Sequence, residues 1–272
     1  MSKRHEIIIC GAGMLGSHHT TLETADVVAK ADVVYHLVSG VEAVAALRRL
    51  NANTRSLIDF YREGDLDLEV YGRIVSFLIG EGLRHASVVL VVMGHPSIYV
   101  SPTHLLVEHA PQYGVSVRVL PALSAIDTLL TTMPFDIANT GLQVLDANRM
   151  VSYALQPMRN VPLLIFQVGC FGSGFITRVT PNHAERLRPL AEYLMGFYPP
   201  GHMVELVECE MGAPHREVRI SMPLAALASS GDKITYNTTL FVPPCERLQV
   251  RNAAFHANLV RPGVVNHLIR QA

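Results

Sequence analysis

Ser87-Val-Val-Leu-Val-Val-Met-Gly-His-Pro96 is the stretch that decides the fold. Its run from Val88 to Met93 is unbroken and apolar, mostly β-branched, and is cut off by Gly94 and Pro96. Such a run has no polar face to turn to water, so it reads as a strand buried on both sides, as in a parallel sheet covered by helices. It is also far shorter than the ~18 apolar residues a membrane span requires.

Working outward, the same alternation recurs. Glu6 to Cys10 reads as a strand, Thr20 to Ala31 as a helix, Val33 to Val38 as a strand and Val41 to Leu50 as a helix. Leu66 to Arg84 and about Thr103 to Gln112 read as helices flanking the deciding strand, and Val115 to Leu120 as a further strand. Strands separated by crossover helices imply a mostly parallel sheet. Ligands in such sheets sit at the carboxyl ends of strands, here the loops Gly11 to His18 and Gly94 to Ser101. The second half reads differently. One helix, Ala184 to Phe197, lies among the strand-like segments Leu163–Val168, Met203–Val207, Val218–Met222 and Tyr236–Val242. The expectation is a two-lobed α/β chain: 1–121 with a mostly parallel sheet, 122–245 with a mixed sheet, and a tail at 246–272.

With 22 Lys+Arg against 23 Asp+Glu among 272 residues, there is no basic excess to favour nucleic acid or an anionic membrane. The start is too short and too soon interrupted for a secretory segment. Cys10, Cys170, Cys209 and Cys245 are scattered, which points to reduced thiols in a cytoplasmic protein. His104 and His109 are five apart and turn away from each other on a helix, and no cluster has metal-ligand spacing, so no metal is expected. No G-x-S-x-G elbow is present.

Four stretches carry candidate chemistry. Gly11-Ala-Gly13-Met-Leu-Gly16 matches a dinucleotide fingerprint, but the second strand ends without the acidic residue that would bind a ribose, so a tight turn is the preferred reading. At Gly94-His95-Pro96 a ligand's close approach and an ordinary strand–turn–helix are equally good readings. Ser124-Ala-Ile-Asp127 reads first as a local capping box. Tyr61 and Tyr71 flank a polar segment containing Asp67 and are able to converge on a carbonyl or amide, although Tyr71 taken alone reads as core packing.

Taken together and in order, Ile9-Cys-Gly-Ala-Gly13, Ala31-Asp-Val-Val-Tyr35, Met93-Gly-His-Pro96, Leu120-Pro-Ala-Leu-Ser-Ala125 and Thr238-Thr-Leu-Phe-Val-Pro-Pro244 resemble the tetrapyrrole (corrin/porphyrin) methylases. Gly-His-Pro in place of Gly-Asp-Pro, the Tyr61…Gly64…Tyr71 segment and Phe166-Gln-Val-Gly-Cys170 resemble the borosin-type peptide backbone N-methyltransferases within them. The resemblance implies S-adenosylmethionine bound in a cleft between the lobes, and a homodimer. It assigns cofactor contacts to His95, Pro96, Ile98, Val100, Ser124, Ala125, Gln167, Thr238 and Thr239, and catalytic roles to Tyr61, Tyr71 and Asp67. It moves the Gly11–Gly16 loop to the substrate side.

The chain departs from that subgroup at four positions. Asp67 stands where an arginine follows the first tyrosine, Ile58 and Met93 replace tyrosines, and Ala122 replaces a glycine. Arg62 and Arg73 are the nearby candidates to supply the missing cation. Residues 246–272 are too short for the clasp and fused core peptide of self-modifying relatives, and Val260 to Asn266 is no clear apolar core segment. A precursor peptide supplied in trans is therefore expected. The alternatives are methylation of a tetrapyrrole or other small molecule, an NAD(P)-dependent oxidoreductase, and a catalytically silent cofactor-binding relative.

Overall fold

The computed structural model describes residues 5–133, 135–177, 184–211 and 216–259. The tail segment from Val260 to Asn266 lies outside the described residues. The first half runs β1 (Glu6–Gly11), α1 (Leu22–Lys30), β2 (Val33–Leu37), α2 (Val41–Leu50), β3 (Thr54–Ser56), α3 (Asp67–Arg84), β4 (Ser87–Val92), α4 (Ser101–His109) and β5 (Ser116–Val119). Its sheet has the order β3-β2-β4-β1-β5 with every pairing parallel. The deciding strand, β4, is central. Its alternate side chains enter two cores: Val88, Leu90 and Val92 pack with α3 and α4, and Val89 and Val91 with α1 and α2. That double burial is why the run is apolar throughout.

The second half runs α5 (Ala125–Thr132), α6 (Ile137–Thr140), β6 (Gln143–Asp146), α7 (Ala147–Ser152), β7 (Leu163–Phe166), α8 (Arg188–Met195), β8 (Met203–Glu208), β9 (Val218–Pro223), α9 (Leu224–Leu227), β10 (Thr239–Val242) and α10 (Ala253–Leu259). Its sheet, β6-β7-β10-β8-β9, is mixed: β6 and β7 are parallel and the remaining pairs antiparallel. One face carries its own core with α7, α8 and α9. The other face meets the first lobe, where Leu164, Phe166 and Phe241 pack with Met14 and Met93 of that lobe and with Ala125 and Ile126 of α5.

Differences from the sequence expectation are local. The edge strand β3 has only three residues, too few for a period to register. The segment β6–α7 escaped notice because β6 is four half-buried residues leading straight into a short helix capped by Asp146. The expected helix at Ala184 begins as a 3₁₀ turn through Leu187, and Pro189 then opens α8. Strand β10 starts at Thr239 rather than Tyr236 because Thr235–Thr238 forms a turn closed by Thr238 N–H donating to the Thr235 carbonyl.

Within the α1–α2 side, His36 on β2 is 2% exposed and its Nε2 has no hydrogen-bond partner among the described residues. Burial lowers its pKa, the Val38 carbonyl opposes that, and the charge of Arg48 on α2 adds to it. A group held neutral in the fold contributes its full stability above its unfolded pKa of roughly 6.5 and loses it as pH falls through the lower folded value. The urea midpoint should therefore decline between pH 7.5 and pH 5.5. His36→Leu should flatten that decline. An equal decline in the variant would show that another group is responsible.

Candidate active site

The carboxyl ends of β1 and β4 lie side by side, and the two loops that leave them are joined. Gly94 N–H donates to the Gly13 carbonyl at 3.0 Å, and Ala12 N–H to the Val92 carbonyl at 2.9 Å. Gly13 and Gly94 both take the left-handed conformation, at φ +64° and +68°. The glycine-rich loop then forms a 3₁₀ turn at Gly16–His18, and α1 begins only at Leu22, capped by Thr21. Its loop is thus committed to β4 and does not deliver pyrophosphate to a helix N-terminus, the arrangement a dinucleotide fingerprint requires.

Beyond Gly94 the chain bends through the expected cofactor residues. The Nδ1 of His95 accepts the Ser97 N–H at 3.1 Å, Pro96 is buried, and Ile98 and Val100 are half-buried. Between these two, Tyr99 is left-handed at φ +56° and stacks on Phe166 of the other lobe at 4.9 Å. Ser124 caps α5 as its local pattern implies: its Oγ accepts from Ile126 and Asp127 N–H and donates to the Asp127 carboxylate. Burial pushes that carboxyl up, but the hydrogen bonds from Ser124 prevail and hold it below its ordinary value. Ala125 opens α5, where helix N–H groups lack intrahelical partners. Gln167, directly after β7, is left-handed at φ +61°. Thr238 and Thr239 are buried at the start of β10, which pairs with β7. The Thr238 hydroxyl is taken by Glu208 at 2.6 Å, a partner the sequence reading did not include.

The second group assembles at the entrance to α3. Tyr61 follows a 3₁₀ turn, and its ring centroid lies 6.4 Å from that of Tyr71. Asp67 and Tyr71 are four apart on one helix, hence on one face. Burial, then the charges of Asp67 and Cys170, push the Tyr71 phenol up to about 12. Burial pushes Tyr61 further still, with Tyr71 adding to it. Both phenols are therefore donors at neutral pH. Tyr71 is half-buried at this cluster, whereas a purely core tyrosine would be enclosed. Cys170 comes from the other lobe, its thiol raised by burial, lowered by Arg186, and raised again by Asp146 and Asp67. A short cross-lobe ladder ties the groups together. Asp67 N–H donates to the Gly174 carbonyl, Gly64 N–H to Ile176, and Ile176 N–H to Asp65. Arg73 is engaged by Asp65 and Arg62 is exposed, and the charges that act on the Tyr71 phenol are those of Asp67 and Cys170. Tyr99, Asp146 and Arg186 were not singled out from sequence, since each reaches the site only through the tertiary fold.

The sequence pattern of the Tetrapyrrole (Corrin/Porphyrin) Methylases matches residues 6–156, just over half of the 272 residues. The chain belongs to this family. In structure it is similar to the uroporphyrin-III C-methyltransferase from Thermus thermophilus complexed with S-adenyl homocysteine: TM-score 0.61, 16% identity, covering 88% of this chain and 92% of that one. In sequence it is similar to a methyltransferase/ribosomally synthesized type I borosin cyclic peptide precursor of Coprinopsis marcescibilis, 27% identical over 89% of this chain and 63% of the relative. It is 28% identical to the omphalotin A methyltransferase/precursor of Omphalotus olearius over 63% of this chain and 41% of that one. The chain thus spans less than two thirds of the length of these curated relatives. Among its described residues, no group of three His, Cys, Asp or Glu is placed to hold a metal, and no helix is long and apolar enough to cross a membrane.

Proposed function

We propose that this chain is a methyltransferase that uses S-adenosylmethionine and methylates backbone amide nitrogens of a peptide. The observation that carries the reading is the Tyr61–Tyr71–Asp67 group, tied by the Gly64–Asp67 ladder to the segment that leaves Gln167 and Cys170. The names of the borosin relatives support the peptide acceptor. The exposed apolar side chains Ile58, Leu68 and Phe175, which come from the segments around that group, also suit an apolar chain better than a polyanionic tetrapyrrole.

Methionine-derived cofactor carries no phosphate, and the loops around Gly94 and Gln167 suit that chemistry. Met93, Pro96 and Ile98 make the Gly94 segment apolar, Ala125 adds an apolar position at the start of α5, and the backbone bends at Gly94, Tyr99 and Gln167. His95, Pro96, Ile98, Val100, Ser124, Ala125, Gln167, Thr238 and Thr239 would hold it, Ser124 and Thr238 by shaping the backbone rather than by their occupied hydroxyls. The bound cofactor supplies an electrophilic methyl group. The remaining task falls on the chain. An amide nitrogen is a poor nucleophile because its lone pair is delocalised into the carbonyl. The phenols of Tyr61 and Tyr71 donate to the acceptor's carbonyl oxygen as negative charge grows there, and Asp67 takes the amide proton. The two-lobed division at 121/122 belongs to this reading, as does a homodimer. Leu22 and Val41, the first residues of α1 and α2, are 90% and 87% exposed and offer apolar contacts to the second copy.

Calorimetric titration separates this reading from an oxidoreductase. S-adenosylhomocysteine should bind, and NAD(P) should not. Tight nicotinamide binding with no S-adenosylhomocysteine binding would sink the proposal. Intact-mass measurement after incubation with S-adenosylmethionine and synthetic apolar peptides should show added methyl groups on a peptide or on the chain itself.

A further inference from the structure

The seven residues from Gln167 to Ser173 connect the two halves of the site, and two side chains hold them. Asn148 on α7 accepts the Gly172 N–H at 2.7 Å and donates to the Cys170 carbonyl at 3.3 Å, with a longer contact to Ser173 at 3.5 Å. Arg186 donates through Nε to the Phe171 carbonyl at 2.7 Å and through Nη1 to the Gly169 carbonyl at 2.9 Å. On the third side the turn is pressed against backbone, since a Cβ at Gly169 would lie 2.4 Å from the Thr235 carbonyl oxygen. The turn begins in a left-handed Gln167 and passes through a left-handed Gly172, conformations that need external support at a non-glycine residue. It then runs directly into the Gly174–Ile176 segment that bonds Gly64, Asp65 and Asp67.

We infer that Asn148 and Arg186 are positioning residues for the cofactor site, acting through Gln167, and that they set its register against Tyr71 and Asp67. This rests on the proposed function. A planar guanidinium holds two carbonyls of one turn in a rigid fork, a geometry that the rotatable donors of an ammonium on a flexible stem do not fix. The carbonyls of Gly169, Cys170 and Phe171 thereby lose the freedom to rotate the turn. Gln167 stands at one end of that fixed unit, and the backbone partners of Asp67 stand at the other.

Arg186→Lys keeps the charge and removes the fork, and Asn148→Ala removes both the acceptor for Gly172 and the donor to Cys170. In each variant, calorimetry should show S-adenosylhomocysteine binding weakened at least tenfold, with the thermal midpoint within a few degrees of wild type. Tyr71→Phe, outside the clamp, should leave that affinity within threefold. Hydrogen exchange at the Gly172 amide should speed up at least tenfold in Asn148→Ala. Unchanged affinity in both clamp variants, or unchanged exchange at Gly172, overturns the inference. If Arg186→Lys fails to fold, Asn148→Ala decides alone. A wild-type chain that does not bind S-adenosylhomocysteine overturns the functional reading and the cofactor role together, while faster Gly172 exchange would still uphold the clamp itself.

Discussion

Tyr71→Phe should slow methyl transfer by between tenfold and a few hundredfold, with little change in the acceptor's KM. The substitution keeps the ring that packs beside Tyr61 and removes one oxygen, so stability should hold and only donation is lost. Loss of one donor to a developing oxyanion costs about 3 kcal/mol in a preorganised site. A half-buried phenol sits at or below that figure. Because Tyr71 retains its proton until about pH 12, its donation is intact at every lower pH and fails only as pH rises through that value. The rate should therefore show no descending limb from this residue up to about pH 10. Asp67→Ala should slow transfer at least tenfold as well, by removing the acceptor of the amide proton. Wild-type kcat in both variants would refute the assigned roles.

Gly11→Ala should cost about 3 kcal/mol or more of folding stability, at the upper end of overpacking penalties. A Cβ there would lie 1.9 Å from the Gly94 carbonyl oxygen and 2.6 Å from the Ala122 Cβ. Neither neighbour is the end of a flexible side chain. Relief would pull the β4 loop from β1 and break the Gly94-to-Gly13 hydrogen bond, which also displaces His95 and Pro96. Gly80→Ala is the control. That glycine is inside α3, and an added Cβ would meet no described residue beyond its own helical backbone within 4 Å, so alanine should be neutral or stabilising by up to about 1 kcal/mol. Urea denaturation measures both. Equal midpoints in the two variants would mean that the close approach at Gly11 is not what the position requires.

Gly11 also shows how far the sequence can be read. The motif announces a tight turn after a strand, and that is what forms. Whether the turn serves a dinucleotide depends on what its carbonyls and amides meet, and Gly94 is 81 residues away from Gly13 along the chain. Ser124 is the opposite case. Its capping box is complete within four residues, so local spacing was enough. Resemblance supplied the proposed cofactor and catalytic residues. It did not supply Glu208, Asn148 or Arg186, because their partners lie on distant segments and no spacing rule connects them.

The sequence by itself determined the strand–helix alternation, the parallel first sheet and most element boundaries. Each follows from apolar periodicity and from turn residues within about ten positions. The tertiary structure alone decided the site. It engaged Arg73 with Asp65, brought Asp67 and Arg186 within electrostatic reach of Cys170, and stacked Tyr99 on Phe166. These are contacts between segments that only packing brings together, and packing depends on the shape of the whole core rather than on any local run of residues.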